Sequence, residues 1–150
     1  MGHTKITGIT LRDLVESDRA LELLASRQME GKIGYRIGKA IRRAEPEIKQ
    51  FRKGLQKKIE GTNAYTRVDG GIKLDQKHED YEKNITKIDK HRNSVLGEKV
   101  SLGDDVGTIS LTELLEALPR RNAGTAEDPK WELAYIEPTI LADLMWLITE

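Results

Sequence analysis

The side chains best suited to hold an anion fall in one stretch of the sequence. Lys32, Arg36, Lys39 and Arg43 recur at three- and four-residue steps, with Arg42 alongside. On a helix this spacing gathers them into a cationic stripe. Ammonium and guanidinium groups in such a row bind phosphate oxygens, whether of a nucleic-acid backbone or of a small nucleotide. Gly34 and Gly38 stand four apart in the same stretch. Their missing side chains would admit a partner helix or bring backbone amides close to a ligand. Other chemistry finds little support. His78, Glu79 and Glu82 make a local cluster, but no second cluster completes a ligand set, so a solvated charged face is the simpler reading. His3 and His91 stand apart from it. Asp104 and Asp105, flanked by Gly103 and Gly107, suit a turn better than a calcium loop. The absence of cysteine excludes a thiolate nucleophile, a disulfide and any cysteine-based metal site. Neither a Walker nor a Rossmann phosphate loop occurs, and there is no serine-hydrolase elbow. The expectation is a protein that is not an enzyme, with no catalytic residue, metal or cofactor. Lys32, Arg36, Lys39, Arg42 and Arg43 form its candidate ligand-binding set.

Composition narrows the classes further. The chain has 150 residues, of which 37% are hydrophobic and 33% charged, with mean hydropathy −0.56. That is lean for a compact domain and suits exposed helices or a subunit that shares core with neighbours. One Phe, four Tyr and two Trp are too few for a stacking platform for single strands. No apolar run is long enough to span a membrane, and the N-terminus lacks a signal-peptide apolar segment, so a soluble intracellular protein is expected. The formal net charge of zero conceals an asymmetry. Residues 30–60 carry ten basic and four acidic side chains, whereas residues 98–150 carry four basic and eleven acidic. Such halves can pair within a subunit, between subunits or with separate partners.

The elements that would position these groups follow from periodicity. Thr10 and Asp13 form a capping box ahead of a helix with Leu11, Leu14, Val15, Leu21, Leu24 and Ala25 on one stripe, and Lys5–Ile9 before it alternates like an edge strand. From Glu30 to Glu60 a single seam runs through Ile37, Ile41, Ala44, Ile48, Phe51 and Leu55, and Pro46 predicts a kink or break near Ala44. Tyr65–Val68 and Ile72–Leu74 flank a glycine turn and read as a β-hairpin. Asp75 then caps a second long helix to about Val95, with His78, Tyr81, Ile85, Ile88, Arg92 and Val95 along its seam. Two amphipathic helices joined by a hairpin predict an antiparallel helical hairpin with a β tip. Its thin, heptad-like, coiled-coil seam (Ile37, Ile41, Ala44, Ile48, Phe51, Leu55, Tyr81, Ile85 and Ile88) predicts a homo-oligomer. In the last third, Glu98–Leu102 reads as a strand and Leu111–Leu118 as a capped helix. Arg120–Lys130 reads as a mobile polar loop, Trp131–Ile136 as a strand, and the segment from Pro138 to Ile148 as a buried helix. The expected fold is mainly α with minor β: residues 1–97 form the hairpin and residues 98–150 a small acidic α+β lobe, the two making one cooperative unit.

This layout resembles that of uncharacterised small proteins of tailed bacteriophages. The resemblance rests on the leucine-rich first helix and the lysine-rich stretch Gly34-Tyr35-Arg36-Ile37-Gly38-Lys39. It continues through the glycine-containing hairpin and the segment Glu98–Leu102 to the tail from Ile136-Glu137-Pro138 to Leu147-Ile148. It implies a phage origin and no known enzymatic activity, and it transfers no functional residues. The expected role is an oligomeric structural or assembly protein, in the virion or the host cytoplasm, with itself and other phage or host proteins as partners. An accessory binder that sequesters an anionic nucleotide signal or a host factor to counter host defence is the alternative. Sequence-tolerant nucleic-acid binding is the third.

Overall fold

The seam of the middle region folds into one continuous helix. In the computed structural model, which describes residues 5–29 and 31–150, α2 spans Gly31–Gly61 without interruption. At 1.5 Å per residue it is about 46 Å long. Of the kink or break expected near Ala44, the break does not occur. Pro46 itself is exposed, while Ala44 and Ile48 on either side of it are buried. Packing of those neighbours therefore holds the backbone helical across a missing donor that costs about 3 kcal/mol. Pro46→Ala should recover much of this, about 1–3 kcal/mol, seen as a higher urea midpoint at unchanged slope.

The helix α1, Leu11–Ala25, begins as its sequence dictates. Thr10 N donates to Asp13 Oδ2 at 2.8 Å, and Asp13 N donates to Thr10 Oγ1 at 3.4 Å, closing the capping box. Leu14, Leu21 and Leu24 of α1 join Ile37, Ala40, Ala44 and Ile48 of α2 in one core. Leu102, Val106, Ile109, Leu114, Ile140, Leu144 and Leu147 belong to the same core, which thus crosses from the first 97 residues into the last third. A smaller cluster of Leu11, Phe51 and Leu96 lies further along α2.

Beyond α2, strands β1 (Tyr65–Val68) and β2 (Gly71–Leu74) pair antiparallel, with Tyr65 opposite Leu74 and Val68 opposite Gly71. Helix α3 follows at Tyr81–Leu96, later than expected and only 16 residues long. The reason is local. Asp75 Oδ1 accepts from Lys77 N at 3.0 Å, Asp75 O accepts from His78 N, and His78 Nδ1 accepts from Asp80 N at 3.0 Å. These side-chain-to-backbone bonds stabilise turns in place of a helical first turn. His78 therefore stands outside the helix, and α3 reaches about 24 Å, half the length of α2.

The last third contains β3 (Ile109–Ser110), α4 (Leu111–Ala117), β4 (Arg121–Asn122), β5 (Trp131–Glu132), α5 (Pro138–Asp143) and β6 (Ile148–Thr149). Strand β3 pairs parallel with β6, and β4 antiparallel with β5. Three expectations change here. Helix α5 ends at Asp143 instead of continuing to Ile148, because the tail leaves it to place Ile148 and Thr149 beside β3. Met145, expected on a buried helix, is 76% exposed. The polar stretch 120–130 is an ordered hairpin. Asn122 Oδ1 accepts from Gly124 N and Lys130 N, and Ala123 N donates to Lys130 O. The strands expected at Lys5–Ile9 and Glu98–Leu102 do not form; Lys5 pairs with Gly107 and Thr10 with Lys99, each in an isolated antiparallel bridge. The fold is α+β, mainly helical, with three small two-stranded sheets among the described residues. No helix among those residues is long and apolar enough to cross a membrane.

Candidate functional site

The cationic stripe of α2 lies beside the acidic last third. Arg36 is largely enclosed, its side chain 22% exposed. Its Nη2 donates to Thr108 O at 2.5 Å, its Nη1 lies 3.5 Å from Glu113 Oε2, and its Nε is buried without a hydrogen-bond partner. Glu113 is itself oriented by the α4 N-cap, since Ser110 Oγ donates to its Oε1 and Glu113 N donates to Ser110 Oγ. One turn along α2, Lys39 and Arg43 converge on a single carboxylate. Asp105 Oδ2 lies 3.6 Å from Lys39 Nζ and accepts from Arg43 Nη2 at 2.9 Å. Lys39 Nζ also sits 4.8 Å from the centroid of the exposed Tyr35 ring, a cation–π contact. Arg43 Nη1 reaches Leu102 O at 3.5 Å. Gly103 makes this arrangement possible: at φ +97°, a Cβ there would come within 2.8 Å of Arg43 Nη1 and 2.9 Å of Asp105 Oδ1.

Of the five candidate ligand-binding residues, Arg36, Lys39 and Arg43 are thus engaged by the chain's own acids. Lys32 and Arg42 are exposed and stand in no ion pair among the described residues. The charge asymmetry is satisfied at least in part within one chain. Each exposed pair is worth at most about 1 kcal/mol, so these contacts fix register more than they stabilise. The glycine pair has a different role from the one expected. A Cβ at Gly34 would meet Met29 O at 2.8 Å, so Gly34 accommodates the chain entering α2. The cavity beside Gly34 and Gly38, about 230 Å³, is lined by Ala25, Met29, Ile37 and Ile41 with Arg27 at its edge. Arg27 is occupied, donating to Tyr135 O at 2.8 Å and to Glu137 Oε2 at 2.9 Å.

Asp104, beside the Asp105 cluster, pairs with Lys5. The hydrogen bond from Lys5, reinforced by its charge, holds the Asp104 carboxyl below its usual range. A folded-state value below the unfolded one gives a stabilisation present above the unfolded value and lost as pH falls through the folded one. Lys5→Ala should therefore slightly lower the neutral plateau of a urea-midpoint-against-pH profile and leave its most acidic end unchanged, flattening the acid limb between them. His78, Glu79 and Glu82 make no metal centre; no group of three or more metal-ligating side chains occurs among the described residues. His3 lies outside those residues.

The seam residues are placed in two ways. Ile37, Ala44, Ile48, Phe51 and Ile88 are buried by the chain itself. Ile41, Leu55, Tyr81 and Ile85 remain partly exposed. Covering the buried five requires no second copy. The most exposed apolar row lies elsewhere. Trp131, 63% exposed, is followed at alternate positions by Leu133 and Tyr135, both exposed. Ala134 and, after Tyr135, Ile136 pack on the core, while Glu132 is exposed. The alternation of Trp131–Ile136 predicted a strand, but only Trp131–Glu132 forms one, paired with Arg121–Asn122; the larger apolar side chains of the segment are the exposed ones. Against known proteins, no family model matches this chain, and neither the curated proteins nor the solved structures contain a match.

Proposed function

We propose that the chain is a non-enzymatic interaction protein of a tailed bacteriophage that self-associates and serves in virion structure or assembly. Its place of work is the virion or the host cytoplasm. The phage origin rests on the layout resemblance. The outward row Trp131, Leu133 and Tyr135 is the observation that carries the interaction role. Trp and Tyr are the side chains that most often dominate binding energy at protein interfaces. All three are exposed, while Ala134 and Ile136 anchor the segment to the core. A second copy is the favoured partner because a net charge of zero leaves little repulsion between copies. We read α2, the β1–β2 hairpin and α3 as an antiparallel arm with a β tip, projecting from the core formed with the last third.

The alternative of a nucleotide or host-factor binder centred on Lys32, Arg36, Lys39, Arg42 and Arg43 has weaker support. Three of those cations already face Glu113 or Asp105. Light scattering on the wild-type chain and on a chain with Trp131, Leu133 and Tyr135 all changed to serine tests the preferred reading. Loss of association by a folded variant supports it, and an unchanged assembly refutes it.

A further inference from the structure

A second group of basic side chains gathers at a cleft between α2 and α3. Lys57 and Lys58 stand on the last turns of α2, and Lys87 and His91 on one face of α3, at the i and i+4 positions. These four line a cleft of about 380 Å³ between the two helices, together with the amide of Asn84. That volume falls within the range of small-molecule sites. No acidic side chain lines it. The lysines are exposed and stand in no ion pair among the described residues. The nearest acid in sequence, Glu60, accepts from Gln56 Nε2. By contrast, Asp105 is set against Lys39 and Arg43, Glu113 against Arg36, and Asp18 against Arg52.

The helix terminus beside the cleft is the feature that would oppose an anion, since the carbonyls of a last turn carry partial negative charge. Here two of those carbonyls are engaged. Ile59 O accepts from Thr62 N and from Thr62 Oγ1 at 2.7 Å, and Glu60 O accepts from Asn63 N. Cations rise from both walls, and Gly61 leaves the gap between them open. We propose that this cleft binds the polyphosphate group of a compact ligand, of the kind carried by a nucleoside triphosphate. Ammonium groups on two facing helices suit a short, multiply charged anion that touches both walls at once. The site shares no residue with the exposed row at Trp131 and does not depend on the assembly reading.

Titration calorimetry with sodium tripolyphosphate at low ionic strength tests it. The wild-type chain should bind one equivalent per chain. Lys57→Glu combined with Lys87→Glu should weaken binding at least tenfold, and Lys32→Glu combined with Arg42→Glu should leave it unchanged. Gly61→Leu fills the cleft without altering charge and should also weaken binding at least tenfold, which separates a shaped site from diffuse attraction. The proposal is overturned if tripolyphosphate gives no binding, if the two charge-reversed pairs weaken it equally, or if Gly61→Leu has no effect. Binding to single-stranded oligonucleotide but not to tripolyphosphate would overturn it as well.

Discussion

Ala44→Glu is expected to unfold the chain, not to release a folded monomer from an assembly. Ala44 is fully buried in the core that joins α1, α2 and the last third. A glutamate there must either bury an unpaired carboxyl or displace α1, and its extra volume overpacks a filled site. Burying an uncompensated charge costs several kcal/mol, and a domain of this size is stable by only about 5–15 kcal/mol. Helical circular dichroism should fall well below wild type, with the cooperative urea transition weakened or lost. Had Ala44 lain on a contact between copies, the same change would give a helical, cooperative monomer. The result therefore also decides whether the seam of α2 serves the chain's own core.

The second large effect concerns association. Replacing Trp131, Leu133 and Tyr135 with serine should weaken self-association by roughly a hundred- to thousandfold. Fully burying one such side chain is worth about 1.5–3 kcal/mol, and only part of that is realised at an interface. A combined loss of about 3–4 kcal/mol corresponds to that range of affinity. The fold should survive, because the three side chains are exposed and the inward Ala134 and Ile136 are retained. Trp131 supplies its own reporter. Its fluorescence should shift to shorter wavelength as the wild-type concentration rises, while Trp146, partly buried against the core, stays nearly constant.

What the sequence disclosed follows the range over which each signal acts. The capping box at Thr10 and Asp13, the Ser110 cap of α4 and the glycine turn between β1 and β2 are local, and each stands where its residues placed it. The long apolar stripe of α2 was equally legible, because its period is internal to the helix. Errors arose where distant residues decide. Pro46 argued for a kink or a break; the helix runs through it unbroken, with Ala44 and Ile48 on either side buried by other elements. The tail beyond Pro138 had a helical pattern, yet pairing with Ile109 and Ser110, far back in the chain, drew its end into a strand. Asp75 was read as a helix cap because capping and turn-forming use the same side-chain oxygen.

The candidate sites divide in the same way. The cationic residues of α2 were visible from spacing, whereas their neutralisation by Asp105 and Glu113, more than sixty residues away, was not. The cleft residues Lys57, Lys58, Lys87 and His91 belong to two helices whose approach no spacing announces. The row at Trp131 was visible as alternation, but alternation alone does not say which face meets the solvent.

The central claim, that copies of this chain meet through Trp131, Leu133 and Tyr135, is tested most directly by the mass in solution. Multi-angle light scattering should be run across a hundredfold concentration range for the wild type and the triple-serine variant. The expected result is a concentration-dependent wild-type mass that is a whole multiple of 17.0 kDa, with the variant held at the single-chain value and its circular dichroism unchanged. A wild type that stays at one chain throughout, or a variant that assembles as the wild type does, would contradict it.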